Sequence, residues 1–92
     1  VQSPETRSTS NLAKPQTRAV TVTADGTTYL DAFPVTPEQL VSLLGQYKAA
    51  NPNLPVVVKG DADAPYEKVL DVLQALKKLD IAEVGFVTKR AP

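Results

Sequence analysis

The sequence predicts an α+β fold: a two-layer β-β-α-β-α-β arrangement with two helices on one face of a small mixed sheet, preceded by a disordered linker. Three observations predict it. A β-branched run over residues 19–24 leads into an Asp-Gly turn and a second short run. Two later stretches repeat apolar residues at spacings of three and four, the mark of helices with one buried face. Residues 54–88 read strand, turn, helix, strand. That length fits a βαβ unit, with parallel strands and a right-handed crossover.

Residues 1–17, VQSPETRSTSNLAKPQT, are rich in Ser, Thr, Gln and Pro, and their few apolar residues show no period. Such a segment cannot bury enough surface to offset its ordering entropy, so it reads as a disordered linker. As a tether, 17 flexible residues have a root-mean-square span of roughly 20–25 Å. A short overhang with no role is the plainer reading. The folded domain is expected over residues 18–90.

Val20 and Val22 fall on one face of the first strand, Thr21 and Thr23 on the other. Asp25-Gly26 suits a type I′ hairpin turn, which needs positive φ at both central residues. Thr27 to Leu30 return as the second strand, and residues 31–35 read as a loop. Thr36 then caps a helix, Pro37 sits at its first position, and Gln39 can close a capping box. Leu40, Val41, Leu43, Leu44 and Tyr47 form its expected buried face. Asn51, tolerant of a left-handed turn, and Pro52 end it.

Pro55, Val56, Val57 and Val58 make an apolar run, the pattern of a strand covered on both faces. Gly60, Asp61, Asp63 and Pro65 break it and start the second helix. On that helix Tyr66, Val69, Leu70, Leu73, Ala75 and Leu76 are expected inside. Glu67, Lys68, Asp71, Gln74, Lys77 and Lys78 are expected outside. The last strand is Val84, Gly85, Phe86, Val87 and Thr88, followed by a frayed tail.

Composition narrows the chemistry. The 92 residues hold one domain at most, small enough that dimerisation is a reasonable remedy for marginal stability. Ten basic residues balance ten acidic ones, which gives no electrostatic reason to seek nucleic acid. Histidine and cysteine are absent, removing the commonest general base, the thiolate nucleophile and the usual zinc ligands. No apolar run approaches the roughly 20 residues needed to span a bilayer. The chain begins with Val rather than Met, so a fragment lacking its membrane anchor is expected.

No motif of catalysis or cofactor binding stands out, so no catalytic residue, metal or cofactor is expected. The acidic turn Gly60-Asp61-Ala62-Asp63 lacks the further ligands of a calcium loop. Asp61 and Asp63 are expected to serve the turn and the start of the second helix. Sheet edges are the more informative surface. A four-stranded open sheet has two unpaired edges, and Gly85 in the last strand would let another backbone come close. Phe86 is either plain core or part of an edge that recruits an extended partner segment by strand addition.

The stretch VVVKGDADAPYEKVLDVLQALKKLDIAEVGFVT resembles the periplasmic domain of the ExbD/TolR family. The family shares this apolar strand, an Asp-containing turn, a Tyr at the helix start and a closing V-G-hydrophobic-V strand. The earlier VTVTADGTTYLDAFPVTPEQL is more similar to ExbD than to TolR. Where the family often has a glycine near the end of the second helix, this chain has Leu79-Asp80.

The resemblance implies a non-enzymatic part of a proton-driven motor. The expected protein crosses the bacterial inner membrane once and places this fragment in the periplasm. Its missing transmembrane helix would sit within an ExbB-like pentamer. The domain would form a homodimer and bind an extended segment of TonB, which energises siderophore, haem or cobalamin uptake. The resemblance points to Val84, Gly85, Phe86 and Val87 as the contact. The alternative is a TolR-like module of the Tol–Pal system that binds peptidoglycan.

Overall fold

The computed structural model describes residues 16–89. The expected linker lies almost wholly outside the described residues, as does the end of the chain. In order, the elements are β1 (Arg18–Val22), β2 (Thr28–Leu30), β3 (Phe33–Pro34), α1 (Pro37–Ala50), β4 (Pro55–Asp61), α2 (Tyr66–Lys78) and β5 (Glu83–Lys89). The sheet runs β3-β2-β1-β4-β5. β1 pairs antiparallel with β2 and parallel with β4, and β4 pairs parallel with β5. It is the mixed-sheet α+β fold that the periodicities indicate, with one strand more. The expected loop at residues 31–35 contains the two-residue β3, because Val35 N–H donates to the Thr28 carbonyl and Leu30 aligns with Phe33.

Both helices cover one face. Val20, Val22, Leu30, Val56 and Val58 point to that face, where α1 supplies Leu40 and Leu44 and α2 supplies Val72, Ala75 and Leu76. Alternation along β4 is strict: Val56, Val58 and Gly60 are buried, while Val57 is half-buried and Lys59 exposed. The apolar run at residues 55–58 therefore does not mark a strand covered on both faces. Val57 lies on the uncovered face, and only Val56 and Val58 enter the core.

Local signals decide the joints. Thr36 Oγ1 accepts from the Gln39 amide at 3.1 Å, and Gln39 Oε1 accepts from the Thr36 amide at 2.9 Å, closing the capping box. The first hairpin departs from the two-residue turn. Thr23 and Thr27 pair across a three-residue loop, and only Gly26 takes a positive φ, +87°. A three-residue loop ending in a left-handed glycine satisfies the strand twist equally well. Asn51 is extended rather than left-handed, and its amide donates to the Tyr47 carbonyl. Asp80 takes the left-handed conformation instead, φ 57°, at the end of α2. Its amide donates to the Lys77 carbonyl and that of Ile81 to the Leu76 carbonyl, a Schellman closure. A turn commonly made with glycine is made here by an aspartate.

Arg18 fastens the start of β1. Its Nη1 donates to Asp31 Oδ2 at 2.9 Å, Asp31 Oδ1 accepts from the Ala19 amide at 3.1 Å, and the guanidinium lies 3.9 Å from the Tyr47 ring centre. A cation over an aromatic face contributes about 0.5–1 kcal/mol at such a partly exposed place.

Candidate partner-binding edge

Pairing with β4 runs along the whole of β5, from Pro55 opposite Glu83 to Asp61 opposite Lys89. No strand pairs with the other side of β5 among the described residues. A seven-residue strand offers about 23 Å of backbone, with donors and acceptors facing outward. The opposite edge, β3, is two residues long and includes Pro34, which has no N–H to offer. Among the described residues the sheet thus has one long edge open to pairing, β5, the strand that carries the four candidate residues.

Register divides the four candidate side chains between two faces. Val84 stands opposite buried Val56, and Phe86 opposite buried Val58, so both belong to the helix face. Gly85 and Val87 stand opposite Val57 and Lys59 on the uncovered face. Val84, Phe86 and Val87 are 40%, 51% and 49% exposed. Phe86 is therefore neither plain core nor free surface. One side of its ring lies over Gly60, where an added methyl would sit 3.6 Å from Cζ and 3.8 Å from Val69 Cγ2. The other side meets solvent.

Gly85 has no steric duty inside the monomer, since a Cβ there would meet only Val57 Cγ2 at an ordinary 3.9 Å.

The structure adds two residues that the sequence reading put in the core. Tyr66 and Leu73 are 76% and 38% exposed. They stand on α2 one turn to either side of Val69, which packs beside the Phe86 ring. Fully buried Val72, absent from the expected inward set, takes their place with Ala75 and Leu76. The apolar repeat of α2 is wider than the core needs, and Tyr66 and Leu73 are its exposed surplus.

The remaining polar groups have local tasks. Asp61 Oδ1 accepts from the Asp63 amide at 2.8 Å, which makes the acidic segment a self-bonded turn. Neither aspartate caps α2, whose N-cap is Pro65 with no side-chain bond. In the first hairpin, Asp25 accepts from the Thr23 hydroxyl and the Thr27 amide, and these bonds hold its carboxyl below the usual carboxylate range.

Residues 1–91 match the family model for the biopolymer transport protein ExbD/TolR. The chain belongs to the ExbD/TolR family. The search of curated proteins found no match to the chain. Membership places the chain in a transport family that couples energy within membrane complexes with partners such as ExbB and TonB, and not in a family of enzymes. ExbD/TolR proteins are anchored in the inner membrane and carry a periplasmic domain. Among the described residues no helix is long and apolar enough to cross a membrane.

Proposed function

We propose that this ExbD/TolR domain is of the ExbD kind. In this reading it forms a homodimer and pairs the β5 edge with an extended periplasmic segment of a TonB-type protein. It thereby helps to energise siderophore, haem or cobalamin uptake across the outer membrane. The observation that carries this reading is the one long open edge among the described residues, β5, which bears exposed Phe86.

Energetics favour strand pairing over simple apolar contact. Covering the exposed half of Phe86 removes about 100 Å² from water, a gross gain of about 2.5 kcal/mol. Fixing the backbone of a flexible partner costs about 1–2 kcal/mol per residue. A segment of several residues is therefore held only if its amides and carbonyls also bond to β5. That is the energetic logic of β-augmentation.

The test is an NMR titration of the domain with a peptide from the periplasmic part of a TonB protein. Wild type is expected to show saturable shifts along β5. Phe86→Arg is expected to stay folded and to lose at least tenfold in affinity, about 1.4 kcal/mol. Tyr66→Ser, at a position outside the core, is expected to weaken binding less. Undiminished binding by Phe86→Arg would remove Phe86 from the contact. Shifts with soluble muropeptides and none with the TonB peptide would instead favour a TolR-like role on peptidoglycan.

A further inference from the structure

A groove of about 430 Å³ lies between α1, α2 and the first hairpin, on the far side of α2 from Tyr66 and Leu73. Its volume falls within the range of small-molecule sites, roughly 300–1,000 Å³. Buried Leu40, Val72 and Ala75 form the floor, and half-buried Val35 and Val41 form a wall. The rim on α2 is polar: Lys68, Asp71, Gln74 and Lys78 follow one another at helical spacings.

The two ends differ. At the hairpin end, the Lys68 stem passes over Gly26, its Cγ 3.8 Å from where a glycine Cβ would stand. Thr28, in phase with buried Leu30, stands on the helix face and lines the same end. Neither the Lys68 ammonium nor the Thr28 hydroxyl has a side-chain partner among the described residues. At the other end, Lys78 lies in the last turn of α2, where the negative end of the helix dipole offsets its charge. Two lysines face one aspartate along this rim.

We propose that the groove binds a free single-chain carboxylate. Its head would be held by Lys68 and Thr28, and its alkyl tail would lie on Leu40, Val41 and Ala75. Charge complementarity selects an anionic head, and the apolar floor selects the tail. Lys68 to Lys78 spans about 15 Å along the helix, the extended length of a chain of about 12 carbons. Asp71 stands one turn from Lys68 and works against the head. Its removal should therefore tighten binding, a sign that a mere greasy crevice would not show.

Sodium dodecanoate below its micelle concentration is the probe, added to the whole chain and followed by ¹H–¹⁵N shifts. Saturable shifts are expected at Thr28, Val41, Lys68 and Ala75, with β5 unmoved. Lys68→Gln should weaken binding about fivefold, the scale of one exposed charge contact, and Asp71→Asn should tighten it. Both positions are exposed, so both variants should fold. Shifts confined to β5, equal binding of dodecyltrimethylammonium, or no response to either substitution would overturn the proposal. The β5 reading would stand or fall separately.

Discussion

Asp80 shows how one residue carries a turn that its side chain does not favour. A non-glycine residue at φ 57° is strained, and its carboxylate lies beside the negative end of α2. Asp80→Gly is expected to raise stability by about 0.5–1 kcal/mol, seen as a higher urea midpoint at unchanged slope. A lower midpoint would mean that the carboxylate has a partner outweighing the strain. Asp31, also left-handed at φ 54°, contrasts with it. Its two oxygens hold Arg18 and the Ala19 amide, so a glycine there would forfeit both. Sequence alone does not separate these two aspartates. What separates them is a neighbour 13 positions away in the chain, and no local pattern reports it.

Among elements, α1 and α2 differ in how much of their apolar surface the sheet uses. Leu44 is wholly buried and Leu73 is 38% exposed, although both lie in helical apolar repeats. Leu44→Ala is expected to cost about 2–5 kcal/mol, the range for a core cavity. Leu73→Ala should cost less than about 1 kcal/mol. Denaturant midpoints of the two variants check the contrast, and equal losses would place Leu73 in the core. Both helices, the capping box and the parallel βαβ unit were legible in the sequence, because each rests on local spacing. The inward face of α2 was not. Its repeat is broad enough to fit two rotations of the helix, and only packing against Val20, Val56 and Val58 selects the one that buries Val72. The short β3 was equally hidden, since two residues carry no period.

At the scale of the whole molecule, the sheet order places β2, β1 and β4 inside and leaves the two outer strands, β3 and β5, unequal. One border is shortened to two residues and ended by Pro34, and the other stays long and apolar. Among the described residues one edge is cut short and the other is left open, which is the arrangement the proposed strand pairing requires. The candidate strand could be read from the sequence, but its division between two faces could not. Phe86 and Val84 share the helix face only because of the register with Val58 and Val56.

The most direct test of this account is amide hydrogen exchange along β5, with and without a saturating TonB-derived peptide. Strand pairing predicts that alternate β5 amides, those directed away from β4, gain protection while β2 and β3 stay unchanged. Protection gained at β3 or on the helices, with β5 exchanging as fast as before, would contradict it.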